Sequence, residues 1–250
     1  LCDSDEIRLA PITVPEEARN VLYFFDRSIL DVVAWLQSDL EQALADAFPG
    51  RTFDVPSVVK FRSWVGGDRD GNPNVTARVT WWTLLEHRRT ILNAYIQRIH
   101  DVRVQLTVSD KRLMADNPLA VSIKRDLEVL HLPDDVIRQH RAEPFVMKLY
   151  LIEARLTAGL EQLESFSGNP GSHTTHPWEY KSDDSFVDDL RLLRESLIGA
   201  NAGVLVSSGP LASLWQQAKT FGFHLAALDI RQHSDVHEVA IGELLYVAGV

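Results

Sequence analysis

The sequence predicts a predominantly α-helical chain with a few β-strands, arranged around two strand–loop–helix units. Three observations carry this expectation. Apolar residues recur at helical spacing over most of the length. Two β-favouring runs, Val58 to Val65 and Phe221 to Arg231, interrupt that pattern. Each run ends in a charged segment and leads into another helix. Strand ends that feed polar loops are where α/β barrels and doubly wound sheets keep their chemistry. Two strands make no stable sheet alone, so their neighbours are expected outside this sequence.

Taken in order, Thr13-Val14-Pro15-Glu16 reads as a capping box with Thr13 as N-cap and Pro15 in the first turn. Val21, Leu22, Phe25, Ile29, Val33, Leu36, Leu40 and Leu44 then keep helical spacing to about Ala47, as one long helix or two in line. Phe48-Pro49-Gly50 stops them. Thr76 starts a second long helix to about Leu106, with Trp81, Trp82, Leu85, Ile91, Leu92, Tyr95 and Ile99 as packing residues. Asn117-Pro118 opens a shorter helix to about Leu130, and another covers Glu143 to about Glu164. Ser165 to Ser182 is rich in Gly, Ser, Pro, His and Thr and reads as a flexible loop. Helices follow over Asp183 to Ala200, with Asn201-Ala202-Gly203 as C-cap, and over Ser208 to Lys219. After the second strand, Ser234 caps a last helix carrying Val236, Val239, Ile241, Leu244 and Leu245. The strand–loop–helix units lie near 58–106 and 221–248, with a helical insertion over 107–220, all within one unit spanning 1–250.

Composition narrows the function classes. The chain has 250 residues, 45% hydrophobic and 24% charged, which is ordinary for a soluble globular protein. A formal net charge of −10 argues against a nucleic acid or an anionic membrane as a bulk electrostatic partner. A single cysteine, Cys2, excludes an internal disulfide and fits a reducing compartment. No apolar run approaches the roughly 18 residues of a membrane span, and no signal-peptide pattern appears. The chain does not begin with Met and stops at Val250 directly after a helical pattern. A piece of a longer protein is the expectation.

The densest segment is Gly66-Gly67-Asp68-Arg69-Asp70-Gly71-Asn72-Pro73-Asn74, with two aspartates, an arginine, three glycines and a proline in nine residues. A calcium loop fails on spacing, because Pro73 sits where the loop glycine belongs and Val79 where a glutamate belongs. Neither common phosphate fingerprint fits the glycines. A purely structural reading has Asp68, Arg69 and Asp70 pairing with neighbours to hold a tight turn. Arg231, at the carboxyl end of the second run, suits bidentate binding of carboxylate or phosphate. The competing expectation is a salt bridge to Asp229 or to a helix carboxylate. Trp64 reads either as core or as a ligand contact. His173 and His176 lack a third metal ligand nearby. These residues support an anion-handling α/β site, and they name no reaction.

Phe61-Arg62-Ser63-Trp64-Val65 followed by that nonapeptide resembles the GGDRDGNP segment of phosphoenolpyruvate carboxylases. Leu228-Asp229-Ile230-Arg231-Gln232 resembles the family's LDIRQ strand, and Glu143-Pro144-Phe145 with Lys148 and Arg155 is similar to its EPYR-type helix. The resemblance covers nearly the whole chain. It implies a helix-rich α/β (TIM-like) barrel of the phosphoenolpyruvate/pyruvate type, and a cytoplasmic homotetramer. It implies an enzyme using Mg²⁺ or Mn²⁺ to carboxylate phosphoenolpyruvate with bicarbonate, giving oxaloacetate and phosphate. Arg231 then matches the arginine that contacts substrate phosphate, and Trp64 the tryptophan lining the methylene side. Gly66, Gly67, Asp68, Arg69 and Asp70 border the site. The family's catalytic histidine, metal carboxylates and glycine-arginine-rich loop have no match, so no activity is expected of this chain alone. Departures are His233, where the family commonly has Glu, and Ala226-Ala227 at an often basic position. The alternative is a non-catalytic helical regulatory or assembly module derived from the family. A different phosphoenolpyruvate-using barrel is disfavoured by the nonapeptide.

Overall fold

The computed structural model describes residues 12–51, 53, 55–106, 117–164 and 176–249. Cys2, His173 and the part of the expected loop up to residue 175 lie outside them.

The first helix, α1 (Val14–Phe24), begins with the expected capping box. The Glu16 amide donates to Thr13 Oγ1 at 3.4 Å, and the Thr13 amide donates to Glu16 Oε2 at 2.8 Å. A wider turn over Phe25–Ile29 joins α1 to α2 (Leu30–Ala47) without a break in the chain's helical course. The long α3 (Ala77–Gln105) is the axis of the helical body and packs against α6 (Pro144–Glu164) and α9 (Pro210–Phe221). Ile91, Leu92, Tyr95, Ile99 and Val102 form its buried stripe. Asn117 caps α4 (Pro118–Val129) by accepting from the Leu119 amide, and Ser182 caps α7 (Asp183–Gly199). After α7 the chain turns at Asn201, whose φ of 58° is the left-handed conformation expected of a helix terminator. Two short helices escaped the apolar pattern, α5 (Asp134–Gln139) and α8 (Val204–Ser207). Each is too short to establish a period.

Both strands are shorter than expected. β1 is Arg62–Ser63 and β2 is Ala227–Leu228, and they pair in parallel, Arg62 opposite Ala227 and Ser63 opposite Leu228. Val58 to Phe61 lies outside β1, although the Phe61 carbonyl accepts from the Ala227 amide at 3.0 Å. Phe221 completes α9, and residues 222–226 are turn rather than strand. The reason lies in α3: the buried Tyr95 hydroxyl donates to the Gly222 carbonyl at 2.8 Å and to that of Gln217 at 3.2 Å. Phe223 is drawn into a ring cluster with Tyr95, Tyr180 and Phe186. Apolar content alone reads as strand, but here it packs sideways into helices. A last helix, α10 (Ser234–Ala248), is capped by His233 rather than Ser234, and none of its residues is buried. Among the described residues the sheet has two strands.

The helical body also buries charge. The Lys148 ammonium on α6 meets Ser122 Oγ at 2.9 Å, Asp126 Oδ2 at 2.7 Å and Asp189 Oδ1 at 2.6 Å. Arg155 Nη2 takes the other Asp126 oxygen at 2.8 Å, and the Tyr180 hydroxyl donates to Asp189 at 2.7 Å. Burial pushes the Asp126 carboxyl upward, but the hydrogen bond and charge of Lys148, joined by Arg155, leave it below its ordinary value. Three helices, α4, α6 and α7, are thereby pinned together.

Candidate anion site at the strand ends

The parallel pairing continues past β1 and β2 through the loop that follows β1. The Ala227 amide donates to the Phe61 carbonyl at 3.0 Å and the Asp229 amide to Ser63 at 2.8 Å. Beyond them the Arg231 amide donates to Gly67 at 3.0 Å, and the Arg69 amide to Arg231 at 3.0 Å. Asp68 and Arg231 thus face each other in an isolated parallel bridge. The two segments singled out from sequence, more than 160 residues apart, meet at one sheet end.

The glycine pair makes that meeting sterically feasible. Gly66 has φ +84°, and a Cβ there would lie 2.2 Å from Thr83 Oγ1 on α3. A Cβ on Gly67 would lie 2.4 Å from the Asp229 carbonyl oxygen. One glycine lets the loop press on α3, and the other lets it press on the second strand. Within the loop, the Gly67 and Asp68 amides donate to the Trp64 carbonyl at 2.9 and 3.0 Å, and the Asp70 amide donates to Asp68 Oδ1 at 3.2 Å.

The expected salt bridge of Arg231 to Asp229 is not made. Asp229 pairs with Arg62 at 3.1 Å, not with Arg231. Arg231 Nη1 instead approaches Asp68 Oδ2 at 3.5 Å, and its guanidinium carbon lies 5.7 Å from the Trp64 ring centre. Trp64 is 56% exposed, so the expectation of a core tryptophan fails. Arg69 turns back toward α3, donating from Nη2 to Thr80 Oγ1 at 3.2 Å. Asp70 is exposed. The turn-holding reading therefore describes Arg69, and Asp68 serves both the turn and Arg231.

Sequence reasoning missed the face of α3 beneath the loop. Thr80, Thr83 and His87 are buried there, while Leu84 is exposed and Trp81 and Trp82 are half-buried. The signal was a polar stripe at positions 80, 83 and 87, one helical face. His87 Nδ1 lies 3.3 Å from the Ala226 carbonyl at the entry to β2. Burial lowers its pKa, and the Ala226 contact partly offsets that. Behind β2 an apolar cleft of about 380 Å³ is lined by Trp81, Leu85, Arg88, Leu163, Phe223 and Leu228. Neither Arg231 nor Trp64 lines it, so the charged strand ends form a separate, open surface.

Fold and site define a helix-rich α/β segment whose two strand ends present an arginine stacked beside a tryptophan, a combination suited to an anion with an apolar part. Comparison with known proteins gives this class a family. The sequence model described as phosphoenolpyruvate carboxylase matches residues 1–250, and the chain belongs to that family. It is 38% identical over 250 residues to the phosphoenolpyruvate carboxylase of Rhodothermus marinus, covering 100% of this chain and 26% of the relative. The protein of that name from Roseiflexus castenholzii is 32% identical over 252 residues, covering 100% and 27%. One from Burkholderia mallei is 34% identical over 245 residues, covering 98% and 24%. The chain spans about a quarter of the length of these curated relatives.

Among the described residues no helix is long and apolar enough to cross a membrane, and no group of three or more His, Cys, Asp or Glu could hold a metal ion. Near the strand ends, Asp229 is taken by Arg62, and Asp68 by Arg231 and the Asp70 amide. These residues do not fit a divalent metal.

Proposed function

We propose that this chain is one part of an enzyme that carboxylates phosphoenolpyruvate with bicarbonate, yielding oxaloacetate and phosphate. The observation that carries the reading is the pairing of Arg231 and Trp64 at one strand end, within a chain whose whole length matches the carboxylase family. Phosphoenolpyruvate has a dianionic phosphate and an apolar methylene. A guanidinium that stays charged while partly desolvated suits the first, and an indole face suits the second.

In this reading Arg231 binds phosphoryl oxygens as the phosphorus leaves the enol oxygen for an oxygen of bicarbonate. That transfer leaves carboxyphosphate and the enolate of pyruvate. Carboxyphosphate then breaks into phosphate and carbon dioxide, and the enolate carbon forms the new bond to carbon dioxide. Arg231 neutralises charge on the phosphoryl group throughout. Trp64 shields the methylene from water, which would otherwise protonate the enolate. The loop of Gly66, Gly67, Asp68, Arg69 and Asp70 fixes where both side chains stand. Magnesium or manganese, which supplies charge neutralisation when bound, would take ligands from beyond this chain. The strands belong to a helix-rich α/β barrel completed by other segments, in a cytoplasmic homotetramer with neither nucleic acid nor membrane as partner. The chain by itself is inactive.

The test uses the full-length protein, wild type beside Arg231→Ala, with oxaloacetate formation followed from phosphoenolpyruvate, bicarbonate and Mg²⁺. Wild-type turnover with a loss of about a hundredfold in kcat/KM for the variant, roughly 2.7 kcal/mol, is expected. No oxaloacetate from folded wild-type protein refutes the reaction. An unimpaired variant moves the anion contact elsewhere.

A further inference from the structure

Arg231 is 55% exposed, and an exposed arginine with many rotamers is a poor template for a phosphate unless something fixes it. Its guanidinium lies against the Trp64 ring at 5.7 Å and pairs with Asp68 Oδ2 at 3.5 Å. The Asp68 side chain is itself anchored, because its other oxygen accepts the Asp70 amide at 3.2 Å. The backbones of Asp68 and Arg231 are also joined, through the bonds that flank their bridge. One carboxylate oxygen is thus committed to the loop, and the other is aimed at the cation. The carboxylate that could compete nearby, Asp229, is occupied by Arg62 at 3.1 Å.

We propose that Asp68 is a positioning residue for Arg231: its carboxylate, pinned by its own loop, steers the guanidinium against the Trp64 ring and leaves the remaining N–H groups to a phosphate. The proposal rests on reading Arg231 as the phosphate contact. A single contact at 3.5 Å is weak enough to orient without saturating the cation, which has five donors. A bidentate pair would instead occupy the edge that the substrate needs.

The experiment is a double-mutant cycle in the full-length enzyme, with KM for phosphoenolpyruvate, kcat and thermal unfolding measured for each variant. Asp68→Asn keeps an oxygen for the Asp70 amide and removes only the charge. It is expected to raise KM about tenfold with kcat within about twofold and an unchanged unfolding temperature, an effect within the range of pairwise couplings. In an Arg231→Lys background the same change is expected to have less than about a twofold effect, since the steered group is gone. Asp68→Glu, which keeps the charge, should recover part of the loss. If Asp68→Asn leaves KM unchanged while Asp68→Ala lowers the unfolding temperature, Asp68 serves the turn alone and the proposal fails. If Asp68→Asn lowers KM, the carboxylate competes with substrate, and positioning is refuted. Each of these leaves oxaloacetate formation by the wild type intact. Absence of wild-type turnover would overturn the carboxylase reading and this inference with it.

Discussion

Lys148 and Arg231 are both cations beside aspartates, yet the Lys148 side chain is wholly buried and that of Arg231 is 55% exposed. Lys148 has three acceptors for three N–H groups, all between 2.6 and 2.9 Å. Among the described residues Arg231 has one carboxylate, at 3.5 Å, which leaves most of its five donors uncommitted. A saturated, desolvated cation has nothing left with which to bind a ligand, and removing its partners is costly. An unsaturated cation at a sheet end costs the fold little and can receive an anion. A cation beside aspartates therefore serves architecture in one region and, under the proposed function, recognition in the other, and saturation and burial decide which.

The harshest way to break this comparison is Lys148→Met. Methionine fills similar volume, so the loss is mainly electrostatic, leaving the buried Asp126 and the partly buried Asp189 without their ammonium. A local loss of about 3–5 kcal/mol is expected. Hydrogen exchange in α4 and α6 of the full-length protein would report it. The pH dependence has a definite sign. The Asp126 carboxyl is lowered from an ordinary 3.8, so its contribution is complete above that value and is lost as pH falls through the lower folded value. Wild-type helices should therefore lose protection in acid below 3.8, and the variant should show a shallower acid limb. A Lys148→Met protein as protected as the wild type would remove the contrast between the two cations.

Gly67→Ala comes next, because it strikes where the regions touch. The new Cβ would meet the Asp229 carbonyl at 2.4 Å, and backbone cannot yield as a side-chain tip can. The loop must withdraw from the second strand, straining the bond from the Arg231 amide to the Gly67 carbonyl. A cost of about 1–3 kcal/mol is expected, together with a fall in kcat/KM toward that of Arg231→Ala. Gly71→Ala is the control, since nothing lies within 4 Å of its Cβ position although its φ is +70°. It should cost stability without reaching Arg231.

These sites also show what the sequence made legible. The capping box at Thr13, the starts at Thr76 and Asn117 and the left-handed Asn201 are local chemistry, and each lies where the residues placed it. The family resemblance implies that the Gly66–Asp70 loop and Arg231 border one site, but their direct backbone bridge is not legible in the strand–loop–helix pattern, which points to strand neighbours outside the sequence. What stayed hidden is non-local. Phe223 looks like a strand residue until Tyr95 and Phe186 are seen to claim it. Asp229 stands two residues from Arg231, yet a partner from the other strand takes it. Thr83 belongs to a polar stripe with Thr80 and His87, but its spacing carries no sign that Gly66 presses against it. Lys148 and Arg155 resemble residues of a family helix, but their spacing carries no sign that Asp126 and Asp189 lie opposite.

The smallest expected effect sharpens the comparison most, because it separates two ion pairs on the same strands. Arg62–Asp229 and Asp68–Arg231 have opposite polarity across the pairing, and Arg62 is 72% exposed. Arg62→Ala should cost under about 1 kcal/mol, and added salt should shrink that further. KM for phosphoenolpyruvate should change by less than about twofold, because backbone bonds at Ala227, Asp229 and Arg231 hold the strand register without Arg62. Its freed partner, Asp229, stands two residues from Arg231 on the same segment and becomes a carboxylate that can compete for it. A KM shift as large as that of Asp68→Asn would mean that the general balance of charge at the strand ends sets the guanidinium, and not the single oxygen that Asp68 presents. An unchanged KM leaves Asp68 as the specific contact, and confines the contribution of Arg62 to a weak, screened attraction between strands already joined by their backbones.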